Sequence, residues 1–116
     1  MIFFHFTSVS VTASGQIVRF TDKLPAKAKY CSGVFMSANT HHHTKALANV
    51  SVVFNAGSGQ TINQMLTVKD SSKKAEPLIV MQPLDENATV KGFVKDYGNA
   101  AAYPYVVKIY YKLKDE

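Results

Sequence analysis

The residues in this chain best equipped for chemistry are three adjacent histidines, His41-His42-His43, a single cysteine, Cys31, and eight carboxylates. Adjacent histidines on an extended loop point alternately, so His41 and His43 could face one metal ion. A defined site needs three or four ligands held by outer partners. No Asp or Glu lies close to the run in sequence, so it reads as a solvated loop and no metal site is expected. Cys31 rules out an internal disulfide and a zinc site built on several thiolates. It falls in an apolar stretch beside Tyr30 and reads as a small buried side chain. The carboxylates are Asp22, Asp70, Glu76, Asp85, Glu86, Asp96, Asp115 and Glu116. Most fall in stretches that read as turns, where Asp accepts backbone hydrogen bonds. No Ser-His-Asp or Cys-His pair carries a local motif. Gly57-Ser58-Gly59 leads into a strand rather than a helix, which argues against a phosphate loop. The expectation is a protein that is not an enzyme and holds no cofactor.

What would position such residues is a run of strands. The clearest is Tyr105 to Lys114, where Tyr105, Val107, Ile109, Tyr111 and Leu113 share one side. Lys108, Lys112 and Lys114 share the other with Val106 and Tyr110. This period-2 alternation of β-branched and aromatic residues predicts a long strand with one face in a core. Residues 2–13 alternate too, with Ile2, Phe4 and Phe6 on one parity and Val9, Val11 and Ala13 on the other. The change near Thr7-Ser8 predicts a bulge or bend, and Ser14-Gly15 predicts a turn that makes 2–20 a hairpin. Further strands are expected at Lys29 to Ala38, with Gly33 placed to permit a bulge, and at Ala46 to Asn55. Gln60 to Lys69, Pro77 to Gln82 and Ala88 to Lys95 complete the set. Leu78-Ile79-Val80-Met81 is apolar on both parities and predicts a central strand. Turns are expected at Ala56 to Gly59 and at Asp96 to Asn99, with a polar loop at Asn39 to Thr44 and a charged one at Asp70 to Ala75. Eight evenly spaced strands without a convincing helix predict an all-β fold, an antiparallel β-sandwich and most simply an eight-stranded single jelly roll.

The bulk composition fits one domain spanning residues 1–116. Hydrophobic residues make up 47%, enough for a sizeable core. Charged residues make up 18%, below the roughly 25% usual in soluble domains, which leaves neutral surface for protein contacts. The formal charge is +5, but Arg19 is the lone arginine and Lys73-Lys74 the lone adjacent basic pair. Bidentate phosphate or base recognition is therefore nearly absent, and no specific nucleic-acid partner is expected. The start, Met1-Ile2-Phe3-Phe4-His5-Phe6, lacks the positive region of a signal peptide and is broken by His5. No stretch approaches the roughly 18 apolar residues of a membrane span. Synthesis in the cytoplasm is expected, which makes the sequons at Asn49 and Asn87 incidental.

Two sets of apolar residues are candidates for contact. Val106 and Tyr110 sit among lysines on the outer parity of the last strand, an apolar patch with a cationic rim. Ile2, Phe4 and Phe6 have the same character and must be covered, either by the sandwich itself or by a neighbouring subunit. These five are the expected subunit-interface residues. Tyr97 and Tyr103 are the alternative, as stacking platforms for carbohydrate at one end of a sandwich.

The stretch from Leu24 to Phe35 resembles the loop and glycine-containing strand of small β-sandwich structural proteins of bacterial viruses. Tyr103 to Leu113 resembles the last strand of such proteins. The resemblance implies a minor capsid, vertex or decoration protein of the virion, built as a single jelly roll. It implies a symmetric homo-oligomer, a trimer or pentamer, that contacts other capsid proteins, and it carries over no catalytic residue. A fibre or adhesin domain is the other role such a sandwich serves.

Overall fold

The last strand, β8 (Tyr105–Lys114), is central, and its alternation is the one expected. Tyr105, Val107, Ile109, Tyr111 and Leu113 are buried, whereas Lys108 is exposed and the other outward residues lie partly covered. The computed structural model describes residues 1–38, 47–55, 61–66, 78–85, 87–100 and 102–115. The histidine run, the Ala56–Gly59 turn and the Asp70–Ala75 loop lie outside the described residues. So do the side chains of residues 62–66 and 78–81.

Strand β8 pairs antiparallel with β1 (Ile2–Val11) on one side and β3 (Tyr30–Ala38) on the other, and β3 pairs with β6 (Leu78–Pro83). The second sheet holds β2 (Ile17–Lys23), β7 (Thr89–Asp96), β4 (Ala48–Asn55) and β5 (Thr61–Leu66). The strand orders are β1-β8-β3-β6 and β2-β7-β4-β5. Among the described strands, β4 and β5 are the consecutive pair that hydrogen-bond to each other, and each other consecutive pair lies in different sheets. This is the jelly roll, and it makes the described chain all-β with two antiparallel sheets.

The core lies between the sheets. Val9 and Val11, Val34 and Met36, Val50, Val52 and Phe54, Val90 and Val94 meet the inward residues of β8. Each fully buried side chain of this size is worth about 2 kcal/mol against leaving it in water. Gly92 of β7 sits where a side chain cannot: a Cβ there would lie 1.8 Å from the backbone oxygen of Ser51 on β4. Cys31 is buried, as expected, and its Sγ–H reaches the Gly33 carbonyl oxygen at 3.5 Å. Gly33 does mark a bulge: the pairing of β3 with both neighbours shifts between Cys31 and Gly33. The extra residue, Ser32, holds a buried hydroxyl oxygen with no hydrogen-bond partner among the described residues.

Three expectations are corrected. Residues 2–20 are not a hairpin, because β1 pairs with β8 and β2 with β7. The turn at Ser14-Gly15 carries the chain from one sheet to the other, and Thr12 N–H and Oγ1–H both donate to Gln16 Oε1 across it. Strand β1 has no bulge or bend; its register with β8 runs unbroken from Ile2↔Lys114 to Val11↔Tyr105. Strand β6 is not central but ends its sheet beside β3.

Candidate interaction surface

The straight course of β1 has a chemical consequence. Its inward residues are Phe3, His5, Thr7, Val9 and Val11, and its outward ones Ile2, Phe4, Phe6, Ser8 and Ser10. Polar groups therefore point into the sandwich while three large apolar side chains point out. Ile2, Phe4 and Phe6 are 52%, 57% and 52% exposed. The inward polar groups are satisfied by residues far along the chain. His5 Nε2 lies 2.9 Å from Asp22 Oδ2, Thr7 Oγ1–H donates to the same oxygen at 2.7 Å, and Thr7 Oγ1 meets the Tyr111 hydroxyl at 3.1 Å. Asp22 lies on β2 rather than in a loop, which lets it join the two sheets.

The outward residues form one aromatic cluster across three strands. Phe6 stands opposite Tyr110, and Tyr110 opposite Phe35 on β3. The Phe35 and Tyr110 rings stack with centroids 4.8 Å apart and planes 9° apart. Phe4 meets Phe35 edge-on at 6.0 Å, and Phe6 meets Tyr110 at 5.8 Å. Pairs of this kind add about 1 kcal/mol each to area burial. Lys108 holds its ammonium 5.6 Å from the Phe6 centroid, and Lys112 stands opposite Phe4. The result is a ring cluster rimmed by cations.

Of the five expected contact residues, Phe4, Phe6 and Tyr110 come together in this cluster, and Ile2 continues their row along β1 beyond Phe4. Val106 shares the face, opposite Ser10, but four residues along β8 from Tyr110, roughly 13 Å at the rise of a strand. Phe35 was not among the five, because the bulge at Gly33 hides which parity of β3 faces out. Only the pairing of β3 with β8 places its ring beside Tyr110.

Strand β1 is also the end of its sheet. Sheet ends are usually short, bulged, charged or interrupted by proline, since an unpaired row of N–H and C=O groups invites another strand. This one runs ten residues in continuous register. Its outward residues carry no charge. The protective feature it does have is the inward His5, paired with Asp22.

The two alternative residues are not matched. Tyr97 is exposed, while Tyr103 packs partly buried against the core. The Tyr103 hydroxyl donates to Asp96 Oδ2 at 2.7 Å, and its ring tilts against Tyr105 at 5.6 Å. Asp96 is buried and also accepts from the Tyr105 hydroxyl and from the backbone N–H groups of Gly15 and Gly98 at 2.9 Å. Burial by itself pushes this carboxyl up. The hydrogen bonds from Tyr105, Tyr103, Gly15 and Gly98 outweigh that and hold it below the usual carboxylate range. Gly98 is in the left-handed region, at φ +80°, which lets its N–H turn back to Asp96. The arrangement locks one end of the sandwich and leaves Tyr103 little freedom to stack on a ligand. Asp85 behaves as a turn aspartate does, its Oδ1 accepting from the Asn87 N–H at 2.8 Å.

Among the described residues no three His, Cys, Asp or Glu side chains converge as a metal-binding group. No described helix is long and apolar enough to cross a membrane.

No protein-family model matches the chain, and no curated protein does. One solved structure is similar, described as "Bacillus endospore appendages form a novel family of disulfide-linked pili". The likeness spans 97% of this chain and 89% of that one, at 16% identity and a TM-score of 0.36. So distant a likeness does not establish common function.

Proposed function

We propose that this protein is a non-enzymatic structural subunit that assembles with copies of itself. Assembly would use the outward edge of β1 and the aromatic face beside it. The observation that supports this is the character of β1: long, unbulged, uncharged on its outward side, and lined with half-exposed Ile2, Phe4 and Phe6. A monomer gains nothing by holding that strand in water, whereas a neighbouring copy that pairs with it satisfies its backbone and covers the rings.

The narrower reading is a minor capsid, vertex or decoration protein of a virion, working as a trimer or pentamer beside other capsid proteins. It rests on the jelly-roll topology and the resemblance of Leu24–Phe35 and Tyr103–Leu113. Jelly rolls also serve as lectins and cupins, so the topology alone does not select among these roles. A carbohydrate platform on Tyr97 and Tyr103 is the weaker reading, because the Tyr103 hydroxyl is committed to Asp96.

Light scattering on a size-exclusion column, over a range of concentrations, tests the proposal. A discrete symmetric oligomer is expected. A protein that stays monomeric at every concentration refutes self-assembly and moves the search to a different partner for the same strand.

A further inference from the structure

Basic residues that are scattered along the sequence gather on the outer face of the second sheet. Strands β2 and β7 pair so that Arg19 stands opposite Phe93, Thr21 opposite Lys91, Ile17 opposite Lys95 and Lys23 opposite Thr89. Alternation turns Arg19, Lys23, Lys91, Phe93 and Lys95 outward together, because the residues between them face the core. The carboxylates of these two strands point the other way. Asp22 is engaged with His5 and Thr7, and Asp96 with Tyr103 and Tyr105. The outward residues of β4 are Asn49, Ser51, Val53 and Asn55, so no acidic group faces out from β2, β7 or β4. Arg19, Lys91 and Lys95 therefore flank one aromatic ring, with Lys23 further along β2, and none has a neutralising partner on these strands. Between them lies an open depression of about 380 Å³, lined by Arg19, Thr21, Ser51, Lys91 and Phe93 among others.

We propose that this face binds single-stranded nucleic acid. Arg19, Lys23, Lys91 and Lys95 meet backbone phosphates, and Phe93 offers its ring to a base. The depression is too open to enclose a small anion but can seat an extended chain. Cations interleaved with an aromatic ring suit a single strand, which presents both charge and stackable bases. A duplex would use the charges and leave the ring idle, whereas an acidic polysaccharide offers the ring a puckered sugar rather than a flat base. The absence of adjacent basic pairs on these strands concealed the surface in the sequence; only the β2–β7 register assembles it. The face lies on the opposite side of the sandwich from the aromatic cluster, so the proposal stands apart from self-assembly.

Fluorescence anisotropy of a labelled oligothymidylate, titrated with the full chain at several salt concentrations, tests it. Binding is expected at low salt. Its logarithm should fall linearly with that of salt, with a slope of about −3 for four contacted phosphates. The double variant Lys91→Gln, Lys95→Gln should weaken binding and reduce the slope by about 1.4. Phe93→Leu, which keeps apolar bulk, should weaken binding about tenfold and leave the slope unchanged. Thermal melting of each variant establishes that it is folded. Failure to bind at low salt overturns the proposal, as does binding that neither variant affects. Equal affinity for a duplex or for heparin, undiminished in Phe93→Leu, also overturns it and leaves only a general contact with polyanions.

Discussion

Phe35 and Tyr110 lie in neighbouring strands with their rings stacked nearly parallel, 4.8 Å apart, on the outside of the sheet rather than in the core. Together with Phe4 and Phe6 they make a small apolar cluster that the fold does not need for its own interior. Removing these rings should therefore affect association more than folding.

The double variant Phe4→Glu, Phe6→Glu is expected to convert the assembled protein to monomer. Its unfolding free energy, measured at a concentration where both forms are monomeric, should fall by about 2 kcal/mol, the two ring pairs lost, and leave the fold intact. Tyr110→Glu should act in the same direction, and Val106→Glu more weakly, since Val106 lies away from the rings. Light scattering together with denaturant titration checks this. An assembly untouched by the Phe4, Phe6 pair would move the interface elsewhere.

Gly92→Ala should be among the most damaging small substitutions in the chain. The new Cβ would fall 1.8 Å from a backbone oxygen of the paired strand, which cannot rotate away as a side-chain tip can. A loss of about 3 kcal/mol or more is expected. The urea midpoint of the variant reads it directly, and a midpoint equal to the parent's would show that β4 and β7 separate freely there.

Stability should fall at both ends of the pH range. Asp96 has a folded pKa below its unfolded value, so its contribution is full above the unfolded value of about 4. It is lost as pH falls through the lower folded value. Tyr105 and Tyr111 are pushed up, first by burial. Their contribution is full below an unfolded value of about 10 and is lost as pH rises beyond it. Asp96→Asn should flatten the acid limb and cost roughly 2 kcal/mol at neutral pH by weakening hydrogen bonds to a charge. Melting curves across pH, for parent and variant, make the comparison. An unchanged acid limb in Asp96→Asn would assign that limb to another carboxylate.

The Cys31 thiol should be inert in the folded protein. Burial pushes it up to about 11. At neutral pH almost no thiolate forms, and the sulfur is also covered. A thiol-reactive chromophore should label the native chain only as fast as it opens, and completely in denaturant. Rapid labelling without denaturant would mean that β3 opens around its bulge far more readily than the rest of the core.

The comparison of sequence with fold turns on a few residues. Strand β8 was legible because its five inward residues are all apolar and its outward face carries three lysines. The alternation thus gave both the strand and its orientation. Strand β1 was not, because alternation says which residues share a face but not which face is inside. His5 and Thr7 can point inward because Asp22 and Tyr111 receive them, and these partners lie 17 and 104 residues away from them in the chain. The bulge at Gly33 was legible from the glycine itself, yet its effect on Phe35 was not, since a one-residue shift reverses every side chain beyond it. The expected hairpin at 2–20 failed for a related reason. A turn signal at Ser14-Gly15 marks a reversal, but sequence does not say whether the returning strand lies beside its predecessor or across from it. The cations that gather on β2 and β7 were invisible for the same reason, being brought onto one face only by the register.

The first strand finds its partner in the last, about a hundred residues downstream, and this bears on how the protein is made. A ribosome releases residues in order, so Ile2, Phe4 and Phe6 emerge long before β8 exists to pair with their strand. During that interval both edges of β1 are bare and its rings are in water. Ladders that close over so long a separation form late and slowly. A cell making this protein in quantity must keep nascent copies apart, because the segment suited to joining finished subunits is exposed before its own partner strand has been made.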